Sequence, residues 1–263
     1  SEQFRRNHPM TTIRTRFTWL VQNRLALFAV LLAIEALFFV TNGLNSILRE
    51  PTDGWELAIQ PYDDQIVPNG YWLIPYFIGF AFAALIPLWA AYQMPIKLYR
   101  QFVFAMASAA LVSYALYMLF PTYVTKPTPE MVPGNDLFAE ILRNSYKLDA
   151  AASTHNAAPS QHVFYALIIM AFMIRFRPKP GVFGVWVLLG ALISASTVLT
   201  QRHNLPDLIT GYMMAVAAYY VGVRLGERVT QRLGDADKAY PMSIGRIGRR
   251  VRRLRTARTN PLP

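Results

Sequence analysis

Six apolar runs separated by polar segments set the order of this chain. They cover roughly residues 25–43, 71–92, 99–120, 162–176, 181–200 and 206–225. Lengths of about 17 to 25 residues match a bilayer core crossed as α-helix. The fourth run is the shortest, because Arg175 ends its charge-free stretch. Lipid offers backbone N–H and C=O groups no water, so such runs span as internally bonded helices. The pattern predicts an all-α, polytopic membrane bundle of six transmembrane helices. Its first run continues through Leu37-Phe38-Phe39-Val40 without a small-residue cleavage site, so we expect it to be retained as a span.

The connections are unequal. Residues 121–161 form one too long to be structureless in a compact protein. Within it Leu137, Phe138, Ile141 and Leu142 recur at helical spacing, with Glu140, Arg143 and Lys147 among them. This predicts an amphipathic interfacial helix in the third connection, either a lid over a site or a surface anchor. Residues 44–70 carry Glu50, Asp53, Glu56, Asp63 and Asp64, read most simply as a solvated acidic loop. The expected organisation is a basic N-terminal segment, 1–24, a membrane domain, 25–225, and a basic tail, 226–263, with no internal repeat.

Composition supports the membrane class: 54% of the 263 residues are hydrophobic, too many for an ordinary soluble domain with such runs. The absence of cysteine excludes disulfides and thiolate chemistry. Charge adds orientation. Of the 26 Lys and Arg, only Arg49, Lys126, Arg143, Lys147 and Arg202 fall in the first, third and fifth connections; the other 21 lie on the opposite side. The positive-inside rule then places both termini in the cytoplasm and the odd-numbered connections outside. The net charge of +11 is concentrated in runs such as Arg246 to Arg255. Beside a membrane helix this reads as a tail held to anionic lipid headgroups, and no nucleic-acid partner is expected.

Two polar clusters precede apolar runs: Pro159-Ser160-Gln161-His162 and His203-Asn204-Leu205-Pro206-Asp207. Ser160 and Asn204 are candidate helix N-caps, and Pro206 suits an opening turn. Helix entrances also present free N–H groups and a positive dipole end, which suit a phosphate. Histidine is well fitted to moving protons near neutral pH, so His162 is a candidate proton donor. Asp207 either complements its helix dipole or accepts the Nδ1 proton of His203, leaving Nε2 as nucleophile or base. Lys126 and Arg202 are either interfacial charges or phosphate ligands, Lys as a point charge and Arg as a planar fork.

At these residues the chain resembles the type 2 phosphatidic acid phosphatase and haloperoxidase superfamily, which includes sphingolipid phosphotransferases. The family's second motif, Pro-Ser-x-His, is matched by Pro159, Ser160 and His162. Its third is Ser-Arg, five residues, His, three residues, Asp; Ser196, His203 and Asp207 stand at that spacing. The likeness covers approximately residues 70–225. The first motif, Lys, six residues, Arg-Pro, is met only by Lys126-Pro127, with Leu119 at the earlier Lys position. Thr197 stands for the third-motif Arg, and Gln161 for the Gly frequent in phosphatases. These departures resemble the branch with inositol phosphorylceramide and sphingomyelin synthases, Arg202 restoring one charge.

The resemblance implies a six-helix bundle that acts on a lipid phosphate or phospholipid by two-step phosphoryl transfer, without metal or other cofactor; with the charge count, the expectation is an integral enzyme of the plasma membrane with its site on the outer face. The resemblance casts His203 as nucleophile, Asp207 as its orienting partner and His162 as acid to the leaving oxygen. Lys126, Ser160 and Arg202 would stabilise the phosphoryl oxygens. Two other readings stand beside it. His162, His203 and Asp207, with His155, make a candidate metal set for a membrane hydrolase. The same pocket could also serve a lipid-binding or transport protein without covalent chemistry. Glu35 is a costly acid within the first run, expected to be neutral or hydrogen-bonded facing other helices and outside the site.

Overall fold

A computed structural model describes residues 18–50, 52–150 and 155–233. Its helices are α1 (Arg24–Leu48), α2 (Leu73–Gln93), α3 (Ile96–Leu119), α4 (Leu137–Ala150), α5 (Gln161–Phe176), α6 (Pro180–Leu199) and α7 (Leu205–Leu233). Five of them are long and apolar enough to cross a membrane: α1, α2 counted from Gly70, α3, α6 and α7. The expected fourth span, α5, is apolar but has only 16 residues. The part of the Arg224-to-Arg258 basic tail that lies past Leu233, and Arg5, Arg6, Arg14 and Arg16, lie outside the described residues.

Helix ends are closed by side chains from neighbouring helices. Asn23 caps α1, its Oδ1 accepting the Leu25 and Ala26 N–H groups at 3.1 Å each. Arg24 then donates to the Ala91 and Met94 carbonyls at 2.9 and 2.6 Å, satisfying the end of α2 where the dipole favours a cation. At the other end of α1, Arg49 donates to Met118 O at 2.7 Å and closes α3. Asn45 adds a bond to Tyr117 O at 3.3 Å.

α3 runs through the core, and α7 packs closest to it. A Cβ on Gly222 would lie 2.5 Å from Ala105 N, and one on Gly226 2.5 Å from Gln101 Cγ. Small residues at four-residue spacing let two backbones approach where lipid gives no hydrophobic drive between helices. The same seam carries α7 past residue 225, where the sequence pattern placed the start of the tail. Thr230 continues it, accepting Arg100 Nη1 at 3.5 Å, while Arg100 Nε donates to Val21 O at 2.7 Å. Packing, not hydropathy, carries the helix this far.

The connections at the α5 entrance are built, not loose. β1 (Trp55–Glu56) pairs in parallel with β2 (Thr122–Tyr123), Trp55 opposite Thr122. The Glu56 carboxylate accepts Thr125 N at 2.7 Å and Thr125 Oγ1 at 2.9 Å. Asp63 corrects the picture of a solvated acidic loop. It is buried, its Oδ1 taking Leu205 N at 2.9 Å and its Oδ2 taking Ile59 N at 2.6 Å.

α4 sits on the start of α2. A Cβ on Gly70 would lie 2.4 Å from the Phe138 carbonyl carbon, so only glycine admits this approach. Ala139, Leu142 and Tyr146 form a separate apolar cluster with Leu73, Tyr76 and Val132. Leu137 and Leu148 remain exposed on the helix. The buried residues, spaced three and four apart, are the face that holds α4 to the bundle.

Candidate active site

The entrances of α5 and α7 meet. Ser160 N donates to Asp207 O at 3.1 Å, tying one polar cluster to the other. Gly211 allows the contact, since a Cβ there would stand 3.0 Å from Ser160 O. The α6–α7 turn aims the second cluster. Gln201, at φ 45°, occupies the left-handed position usually given to glycine. Gln201 N bonds Val198 O at 2.8 Å and Arg202 N bonds Thr197 O at 2.9 Å, the bond pair of a Schellman ending. His203 N also reaches Thr197 O at 3.1 Å, so Arg202 and His203 are turned back beneath α6.

His203 Nδ1 lies 3.4 Å from Asp207 Oδ2. Both groups are buried, Asp207 fully. Oδ2 also accepts Asn204 N at 3.0 Å, so the same oxygen faces the helix entrance and the imidazole. Asn204 is not the cap expected of it; Asp63 and Asp207 take the first N–H groups of α7 instead. The His162 ring stands 6.1 Å from the His203 ring, centroid to centroid. Tyr76 stacks on His162 at 4.4 Å and Phe80 meets it edge-on at 4.4 Å. Neither His162 nitrogen has a hydrogen-bond partner.

The cations and the serine complete the cluster. Lys126 Nζ donates to Arg202 O at 2.9 Å. The Arg202 guanidinium carbon lies 5.5 Å from the Tyr76 ring and 5.8 Å from the Tyr146 ring, between two aromatic faces. Tyr146 donates in turn to Thr200 O at 2.7 Å. Ser160 is fully buried, yet its Oγ makes neither the expected cap bond nor any other. A cavity of about 550 Å³ opens here, its wall including Lys126, His203, Asn204, Gln201, Asp64 and Thr128.

All six residues marked by the sequence thus gather at one end of the bundle. Tyr76 and Tyr146 were missed. They come from α2 and α4 and carry no local motif that marks them. The positions where the resemblance expects further cations do not face the cluster as cations. Leu119 is 70% exposed, and Thr197 Oγ1 is turned back onto Ser194 O at 2.8 Å. Among the described residues, no group of three or more His, Cys, Asp or Glu stands close enough to hold a metal. His155 is buried in the segment leading to Pro159.

Comparison with known families rests on this geometry. The sequence model of the PAP2 superfamily matches residues 55–221. The chain belongs to the PAP2 superfamily. The match takes in both polar clusters and α2 to α7 up to Val221, leaving α1 outside. Family membership points to phosphatase-type chemistry on lipid phosphates at a membrane. No curated protein and no solved structure matches the chain.

Proposed function

We propose that this PAP2 superfamily member is an integral-membrane lipid phosphate phosphatase or lipid phosphotransferase working through a phosphohistidine. The observation that carries this reading is the pairing of His203 with Asp207 at 3.4 Å while the His162 ring stands 6.1 Å away, on a different helix. Asp207 accepts the Nδ1 proton and leaves the Nε2 lone pair of His203 free to attack. In the first step an Nε2–P bond forms and the P–O bond to the lipid breaks. The electron pair leaves with that oxygen, which takes a proton from His162. In the second step His162 takes a proton from the acceptor hydroxyl as its oxygen attacks phosphorus, and the Nε2–P bond breaks.

Lys126, Arg202 and Ser160 stabilise the equatorial oxygens, since positioning and charge are most of what such transfer requires. The Arg202 guanidinium lies within cation–π range of both Tyr76 and Tyr146, which limits the freedom its fork loses on meeting an anion. Water as acceptor gives a phosphatase; a lipid or polyol alcohol gives a phosphotransferase, as in the sphingolipid synthase branch. The distribution of Lys and Arg supports cytoplasmic termini and a site on the outer face of the membrane.

The test is turnover of the purified full chain on phosphatidate, an isoprenyl diphosphate, and ceramide with a phospholipid donor. Products identify the acceptor. His203→Ala should abolish turnover on whichever substrate the parent accepts, and acid-labile phosphate should be trapped on the parent alone. Full turnover by His203→Ala would sink the mechanism.

A further inference from the structure

α1 lies outside the region matched by the family, yet it sends polar side chains to the α5 entrance. Glu35 is the deepest of them in its helix. Tyr114 of α3 donates to Glu35 Oε2 at 3.1 Å, and Tyr165 of α5 donates to Glu35 Oε1. Gln161 Nε2, one residue before His162, bonds Tyr114 Oη at 3.1 Å and Tyr165 Oη at 3.5 Å. These four side chains close a ring.

The direction of the ring follows from proton counting. Both phenols donate to Glu35, and a phenol has only one proton to donate. Each tyrosine gives its proton to Glu35, so each phenolic oxygen is left to accept, and the Gln161 amide must present its NH₂ side to them. The ring therefore fixes Gln161, and with it the first turn of α5 between Ser160 and His162. Further contacts run parallel to it. Asn156 Nδ2 donates to Asn42 Oδ1 at 3.0 Å. Asn45 holds Tyr117 O, and Tyr117 Oη donates to Pro159 O at 2.6 Å.

We propose that Glu35 is a positioning residue, which acts through Tyr114, Tyr165 and Gln161 to set the α5 entrance that carries Ser160 and His162. The proposal rests on the phosphoryl-transfer reading above. A ring that served only to hold α1 on the bundle would contribute to stability; a ring that sets the entrance contributes to kcat. A glutamine at position 35 separates these, because it matches glutamate in shape but must point an NH₂ at one phenol and reverse that arm.

The experiment compares Glu35→Gln, Gln161→Ala and the double variant with the parent in the full chain, using the three-substrate panel and thermal unfolding in the same detergent. Misplacement of a reacting group is costly, so kcat should fall about tenfold in Glu35→Gln with KM within about twofold of the parent. The double variant should be no worse than the poorer single one, since both cut one ring. Tyr165→Phe, which removes one donor at nearly constant size, should show the same kcat-selective loss and replaces Glu35→Gln if that variant fails to accumulate. Unchanged kcat in the folded variants, or losses that multiply, would overturn the proposal. His203→Ala run alongside keeps the two failures apart: an active His203→Ala removes the underlying mechanism, whereas an inactive one beside a fully active Glu35→Gln removes only the role of Glu35.

Discussion

Asp207 Oδ2 faces two donors at once, His203 Nδ1 at 3.4 Å and Asn204 N at 3.0 Å. One oxygen thereby joins the helix cap to the imidazole, and the two functions can be separated by substitution. Asp207→Asn keeps an oxygen able to accept both N–H groups at the Oδ2 position, but it removes the negative charge that stabilises the cationic histidine formed when Nε2 bonds phosphorus. We expect turnover to fall about a thousandfold, as when the orienting carboxylate of a catalytic histidine is neutralised. Stability should drop by no more than about 1 kcal/mol, the usual worth of a cap. Initial rates and thermal unfolding of the same preparation check both numbers.

Arg202 is placed by stacking as much as by charge. Its guanidinium lies between Tyr76 and Tyr146, and a lysine there would keep the charge while losing the plane and the fork. Arg202→Lys should therefore behave more like Arg202→Ala than like the parent, with kcat/KM reduced about tenfold or more. Orthovanadate, which mimics five-coordinate phosphorus, should lose affinity in parallel. A lysine variant with parental kcat/KM would show that charge alone suffices at this position.

Five of the six expected spans and both polar clusters were legible in the sequence because each is local: hydropathy over a helix length, and polar residues packed into four or five positions. α7 shows where local reading stops. Arg224, Glu227 and Arg228 suggest a tail, yet the helix continues to Leu233 because Gly226 and Thr230 close on α3. Tyr76, Tyr146 and the Glu35 ring were not legible either, since their partners are far away in sequence and nothing at their own positions marks them. Glu35 was read as neutral or hydrogen-bonded facing other helices, and the structure shows the hydrogen bonds; its tie to Gln161 needed three helices to be placed.

The seam between α3 and α7 makes a separate, structural prediction. A Cβ at Gly222 would meet Ala105 N at 2.5 Å and Ala105 Cβ at 2.6 Å, and backbone atoms inside a packed helix cannot step aside. Gly222→Ala should lose about 1 to 3 kcal/mol of stability, the cost of overpacking. Residual activity per folded molecule should stay near the parent, because the seam lies away from the α5 entrance. Thermal unfolding with active-site titration by phosphohistidine trapping measures both.

Metal removal tests the competing chemistry directly. His162 and His203 stand edge-on with ring centroids 6.1 Å apart, but no group of three or more His, Cys, Asp or Glu that could hold a metal is found among the described residues. We expect exhaustive chelation, followed by assay in metal-free buffer, to leave turnover unchanged. A loss restored by one divalent cation would favour a metal-assisted hydrolysis over the phosphohistidine route.

Ser160 gives a prediction in which stability and activity should move in opposite directions. Its Oγ is fully buried with no hydrogen-bond partner, although it occupies the position from which a serine ordinarily caps a helix. A buried hydroxyl left unsatisfied costs about 1 to 3 kcal/mol, so removing it should not harm the empty protein. Ser160→Ala is therefore expected to unfold at the same temperature as the parent or slightly higher. If the missing partner is a phosphoryl oxygen, the same change withdraws a donor from the developing charge, and kcat should fall about tenfold to a hundredfold. A serine serving only as a cap would give the reverse pair, a lower unfolding temperature with kcat intact. The sign of the stability change thus reads out which role the buried hydroxyl has.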